Sequence, residues 1–181
     1  MRANILLSGG LDSAILSGIL QQKGYKVKAY TFDQANSLTF AKKISDILNI
    51  HLNLINIEVK NDRQEVNRAV EYLIDQDIGN IHIGITAVPK IDFSIQEQIP
   101  SRPSSQTINE LSAGKVIAPY ANMTKDKVLQ IGIDCLKNID ELIKYSHSCY
   151  RTNNIRCGEC FNCEERKWAF DSVGIIDKGK Y

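Results

Sequence analysis

Ser8-Gly9-Gly10-Leu11-Asp12-Ser13, reached directly from the apolar run at residues 3–7, is the stretch on which the fold turns. The run before it suits a short buried parallel strand, and Leu11, Ala14, Ile15, Gly18 and Ile19 then follow at helical spacing, with Gly24 as a stop. A strand, a glycine turn and a helix in that order can make a phosphate site. Gly9 and Gly10 let backbone N–H groups approach phosphate oxygens, the Ser8 and Ser13 hydroxyls can donate, and the start of the helix adds a positive dipole end. Asp12 repels phosphate, so beside such a site it suits a Mg²⁺-side or loop-ordering role. A Ser-Gly-Gly turn on its own more often just caps its helix, and the G-x-x-x-x-G-K-[ST] phosphate loop occurs nowhere in the chain.

Outward from the loop, the pattern predicts strands over residues 27–32, 52–57 and 81–85, separated by helices over 38–48 and around Val66, Ala69, Val70, Leu73 and Ile74. Residues 86–113, with Pro89, Pro100 and Pro103, read as a long irregular connection of the kind that carries function. A last strand is expected over 116–118. Thr124 can cap a helix over 125–131, and a polar helix is expected over 139–145. Alternating strands and helices predict an α/β fold, a Rossmann-like parallel sheet flanked by helices that binds ligands at the carboxyl ends of its strands.

The bulk properties narrow the function. The 181 residues are 43% hydrophobic and 24% charged, enough for one α/β domain and its core. With 22 basic and 21 acidic residues the net charge is +1, so neither a nucleic-acid partner nor an anionic membrane surface is expected. The apolar start is too short for a secretory signal or a bilayer span, which predicts a cytoplasmic protein.

Of the five cysteines, Cys149, Cys157, Cys160 and Cys163 stand as C-x7-C-x2-C-x2-C, whose two C-x2-C steps can close turns around one tetrahedral ion. Four thiolates saturate zinc and leave no open position, so such an ion is structural; an iron–sulfur cluster suits the same ligands. His147 is a spare candidate ligand, and Cys135 reads as a buried small side chain on a helix.

The loop is identical to the S-G-G-x-D-S signature of the PP-loop (N-type) ATP pyrophosphatases, which it also resembles in following the first strand. Together with the four-cysteine segment, with Ser148-Cys149-Tyr150, Cys157-Gly158-Glu159-Cys160 and Arg166 to Phe170 in order, the chain resembles the 7-cyano-7-deazaguanine synthase family. Asp92-Phe93-Ser94 with Arg102-Pro103, and Pro119 followed by Thr124-Lys125, extend the likeness. The resemblance implies a PP-loop domain over residues 1–145 with a zinc-binding segment over 146–181 packed on it. It implies an enzyme that cleaves ATP, with Mg²⁺, to AMP and pyrophosphate and turns 7-carboxy-7-deazaguanine and ammonia into the nitrile. Residue by residue, it implies that Asp12 and Lys125 are catalytic, that Ser8, Gly9, Gly10, Leu11, Asp12, Ser13, Phe32 and Asp33 bind ATP, and that Asp92, Ser94 and Arg102 face the deazaguanine. It also implies zinc on Cys149, Cys157, Cys160 and Cys163, and a homodimer. The chain departs from the pattern on the substrate side: it is several tens of residues shorter, the second strand runs into Phe32-Asp33-Gln34-Ala35, and Asn61-Asp62-Arg63 stands where an arginine-asparagine pair is expected.

Overall fold

Five parallel strands lie in the order β3-β2-β1-β4-β5, with β1 (Arg2–Leu6) at the centre between β2 (Lys26–Phe32) and β4 (Ile81–Ile83), and β3 (His51–Ile55) and β5 (Val116–Ile117) at the edges. The computed structural model describes residues 1–32, 35–56, 62–93, 102–152 and 155–179. Asp33, Gln34, Asn61 and Ser94, all singled out in the sequence, lie outside the described residues.

Strand alternation builds two core layers. Ala3, Ile5 and Leu7 of the first strand and its exit face one side, where they pack with α1 (Leu11–Gln22), α2 (Ala35–Leu48), α5 (Lys125–Cys135) and α6 (Ile139–Tyr145). Leu6, Tyr30, Phe32, Ile55, Ile81 and Ile83 face the other, against α3 (Asp62–Asp75) and α4 (Ser105–Leu111). Burial on both faces matches the apolar residues that β1 presents to each side, Ala3 and Ile5 to one and Leu6 to the other.

The chain runs outward through β1, β2 and β3, then returns to the far side of β1 as β4. That reversal opens a crevice beyond the carboxyl ends of β1 and β4. Gly84, one residue past β4, closes it from below: a Cβ there would stand 2.6 Å from the Ser13 nitrogen, so only glycine lets the β4 exit pass under the start of α1.

Several expectations need correction. The connection over 86–113 is not irregular throughout: Ser105–Leu111 is helical, its N-terminus capped by the Ser104 side chain, which accepts from the Thr107 amide at 3.2 Å. The third strand ends at Ile55, and α5 runs four residues beyond 131, which carries Cys135 to an exposed helix end rather than into the core. Within the cysteine segment the sequence reading missed a 13-residue helix, α7 (Phe161–Val173), which packs along α5. No helix among the described residues is long and apolar enough to cross a membrane.

Candidate functional site

The loop begins where β1 stops pairing, the Leu7 amide still donating to the Tyr30 carbonyl at 2.8 Å. Gly9 then takes a positive φ of 76°, and a Cβ on it would fall 2.6 Å from Cβ of Phe40. No other residue fits both the backbone angle and the gap against α2. Gly10 is the N-cap of α1 and supplies no side-chain acceptor, so the amides of the first turn remain open toward the crevice. Ser8 and Ser13 are joined through their hydroxyls at 3.1 Å, and Ser13 also donates to the Gly10 carbonyl, which holds the turn in shape.

Asp12 projects from the first turn of α1 and pairs through Oδ2 with Lys125, the first residue of α5. The Lys125 side chain is buried, contrary to what a first-turn lysine suggests, because the loop before it is drawn inward: Ala87 bridges Thr124, and the Ala87 amide donates to the Met123 carbonyl at 2.7 Å. Lys125 also lies 3.5 Å from Glu165 on α7. Glu165, fully buried, forks onto Arg102 at 2.6 and 3.0 Å, and Arg102 reaches back to the carbonyl and hydroxyl of Thr86 at 3.2 and 2.9 Å. Two carboxylates and two cations from four parts of the chain thus form one continuous ion-paired row. Among the described residues the other Asp12 oxygen, Oδ1, is buried with no hydrogen-bond partner, an acceptor beside the phosphate loop that suits a divalent cation.

The remaining residues named from the sequence divide. Phe32 turns its side chain into the second core layer, so only its backbone can border a ligand. Asp92 is exposed. Its neighbour Phe93 meets Phe161 of α7 edge-on at 5.2 Å, and the Arg102 guanidinium lies over the same ring at 5.3 Å, so the two described ends of the connection converge on α7. Neither Glu165 nor Phe161 was singled out in the sequence, Glu165 standing within the charged stretch Glu164-Glu165-Arg166-Lys167. A usable signal was present: Glu165 sits midway between Phe161 and Ala169 on one helical stripe.

The four cysteines come together. Their sulfurs all lie within 4.8 Å of one another, with separations of 3.6 Å between Cys149 and Cys157 and 4.0 Å both between Cys157 and Cys163 and between Cys149 and Cys160. A tetrahedral thiolate shell with metal–sulfur bonds of about 2.3 Å has sulfurs roughly 3.8 Å apart, so the set fits a metal ion. A hydrogen bond from Cys163 holds the Cys160 thiol down at about 5, while the same contact pushes Cys163 up. His147 is not among the ligands. Its Nε2 donates to the Thr152 carbonyl at 2.8 Å, its ring stacks on Phe40 at 4.4 Å, and its amide donates to the Gly9 carbonyl at 2.9 Å. Its role is to join the cysteine segment to the phosphate loop.

Behind the cysteines, Asp177 accepts from Arg166 at 2.7 and 2.9 Å and from Arg156 at 2.5 Å, while Arg166 also reaches Ser146 and the Ile143 carbonyl. Burial alone would raise the Asp177 carboxyl, but the hydrogen bonds and charge of Arg166 and the charge of Arg156 outweigh it and hold the group at about 2 against the usual 3.8. A carboxyl depressed in the folded state stabilises fully above its unfolded value and loses that contribution as pH falls through the folded one. Chemical denaturation between pH 5 and pH 2 is therefore expected to show about 2 kcal/mol of stability lost through this group. Asp177→Asn should lack that component of the acid dependence, and an unchanged slope in the variant would rule the clamp out.

Comparison with known proteins follows the same lines. A family model described as queuosine biosynthesis protein QueC matches residues 2–89 and 66–174. The chain is 27% identical to a 7-cyano-7-deazaguanine synthase of Methanococcus maripaludis, covering all of this chain and 99% of the relative in an alignment of 230 positions. It is 28% identical to one of Persephonella marina, covering 96% of this chain and 93% of that one. Among solved structures, the NMN synthetase of Francisella tularensis superposes with a TM-score of 0.50 at 16% identity over 96% of this chain and 77% of that one, a likeness of fold.

Proposed function

The chain belongs to the QueC family of queuosine biosynthesis proteins, and from that premise we propose that it is an AMP-forming synthase that converts 7-carboxy-7-deazaguanine and ammonia into 7-cyano-7-deazaguanine. The observation that carries this reading is the ion-paired row Asp12–Lys125–Glu165–Arg102, which joins the phosphate loop to the segment expected to meet the acceptor. An adenylating enzyme needs its acceptor oxygen and the α-phosphorus of ATP in one crevice, and little else from the protein beyond positioning and charge neutralisation.

In this reading the phosphates lie on the backbone of Ser8 to Ser13. The acceptor carboxylate forms a bond to the α-phosphorus, pyrophosphate leaves, and Lys125 offsets the charge on the leaving oxygen. Ammonia then displaces AMP from the acyl carbon and loses a proton to give the amide. A second ATP activates the amide oxygen in the same way, and departure of AMP with the remaining N–H protons leaves the nitrile. Mg²⁺, when bound, screens the triphosphate, and Asp12 is the residue present to hold it, through the open Oδ1. Zinc on Cys149, Cys157, Cys160 and Cys163 supplies structure, not chemistry. Asp92, Ser94 and Arg102 serve the deazaguanine, Phe32 and Asp33 border the nucleotide, and the enzyme acts as a cytoplasmic homodimer.

The test incubates the metal-loaded protein with ATP, Mg²⁺, ammonia and 7-carboxy-7-deazaguanine, and follows AMP and the mass of the base. The expected result is AMP together with the nitrile. AMP formed only with a different acceptor would overturn the substrate, and no AMP under any of these conditions would overturn the enzyme.

A further inference from the structure

Glu165 is a buried carboxylate that neither the sequence motifs nor the adenylation scheme accounts for. We propose that it is a positioning residue which holds the two cations of the site, Lys125 on the phosphate side and Arg102 on the acceptor side, at the separation adenylation requires; this rests on the function proposed above.

The case begins with its place on α7. Cys163 and Glu165 are two residues apart, about 200° around a helix, so the same first turns present a metal ligand on one face and this carboxylate on another. Cys160 caps the helix, its carbonyl accepting from Cys163 and Glu164 at 2.9 and 3.0 Å. A metal-braced helix start is a rigid mount, and a carboxylate built on it has a fixed address.

The partners complete the argument. Both Glu165 oxygens are engaged: Oε1 with Arg102 at 2.6 Å, and Oε2 with Arg102 at 3.0 Å and Lys125 at 3.5 Å. One carboxylate therefore sets the distance between the two cations. Lys125 has a second partner in Asp12, but Asp12 stands on the phosphate loop itself, and its other oxygen has no hydrogen-bond partner among the described residues. Whatever draws Asp12 toward a ligand leaves Glu165 as the counter-ion that keeps Lys125 in place. Among the described residues Arg102 has no second carboxylate partner: its other contacts are the carbonyl and hydroxyl of Thr86 and the face of the Phe161 ring. Among the described residues no hydrogen bond or ion pair joins Ser8–Ser13 directly to Glu165, so its loss is expected to disturb the alignment of the reacting groups more than the docking of ATP.

The test uses the full chain and compares Glu165→Gln, which keeps the shape and loses the charge, with Glu165→Asp, which keeps the charge. Bound metal and melting temperature are measured alongside AMP release. Displacing a reacting group by an ångström costs on the order of 10²-fold in rate, so kcat in Glu165→Gln is expected to fall ~10²-fold with the KM for Mg-ATP within ~3-fold. Glu165→Asp should recover at least ~10-fold of that loss, and metal content should not change in either. Wild-type kcat in Glu165→Gln would overturn the proposal and leave the function standing. Equal losses in both variants, tracking equal falls in melting temperature, would reduce Glu165 to packing. Absence of AMP from the wild-type protein would instead overturn the function, and this inference with it.

Discussion

Asp12→Ala is expected to lower AMP release by at least ~10³-fold in kcat while the far-ultraviolet spectrum and melting temperature stay close to those of the wild type. Two separate losses stack. One oxygen of Asp12 is the ion-pair partner of Lys125, so its removal frees the lysine to drift from the phosphate side; the other is the open acceptor beside the loop, so its removal takes away the residue placed to hold a divalent cation. The fold should not suffer. Asp12 lies in the first turn of α1, with no part in the core that Leu11, Ala14 and Ile15 build beneath it, and Lys125 retains Glu165 as a neighbour. Asp12→Asn discriminates further: it preserves shape and one acceptor but not the charge, and should be nearly as inactive. Turnover in Asp12→Ala within tenfold of wild type would remove this carboxylate, and with it the loop, from the chemistry.

What could be read before any coordinates existed was what local physics fixes. The step from β1 through Ser8-Gly9-Gly10 into α1 was legible because an apolar strand, two glycines and an apolar helical stripe admit few other arrangements. The four cysteines were legible because C-x2-C spacing is a geometric statement in itself. Residues whose roles depend on distant partners were not. Glu165 and Arg166 are fully buried, yet each stands in a run of charges that sequence alone assigns to solvent; burial is offset for one by Arg102 and Lys125 and for the other by Asp177, Ser146 and Ile143, none of them near in the chain. The Ser105–Leu111 helix was hidden by its Ser and Asn, which favour caps and turns, by a β-branched Thr and by its shortness. Phe32 was half legible: the strand end was right, but β alternation sends its ring into the core.

The same contacts seat the cysteine segment against the Ser8–Ser13 loop. The His147 amide holds the Gly9 carbonyl, the His147 ring stacks flat on Phe40, and Phe40 in turn leaves Gly9 no room for a side chain. Two residues further on, Cys149 accepts or donates a hydrogen bond with Thr152 at 3.2 Å, the residue whose carbonyl orients the His147 ring. From the other end, α7 delivers Glu165 to Lys125 and Arg102. The four-cysteine segment thus meets the Ser8–Ser13 loop directly through His147 and indirectly through Glu165, Lys125 and Asp12.

Cys160→Ser tests whether those contacts brace the loop, and the substitution is well suited to it. Cys160 is fully buried and is the N-cap of α7. Serine is among the best N-cap residues, so the helix start is preserved or strengthened by up to about 1 kcal/mol, and any loss of stability must come from the metal and not from the helix. Three remaining thiolates cannot close a structural tetrahedron, so bound metal in the purified protein is expected to fall to roughly a tenth of the wild-type content. The binding energy of a structural ion is folding energy. If only about 4 kcal/mol of it is realised here, where the α/β body has a core of its own, the melting temperature should fall by roughly 8–16 °C for a chain of this length. Because the segment also holds Gly9 and carries Glu165, the loss of stability should come with a loss of AMP release, measured at a temperature where the variant is still folded. Retention of both metal and melting temperature would refute a structural ion. A protein that loses its metal but keeps full turnover would show that the brace matters to the fold alone, and that the phosphate loop holds its shape on the contacts of Ser8, Ser13 and Phe40.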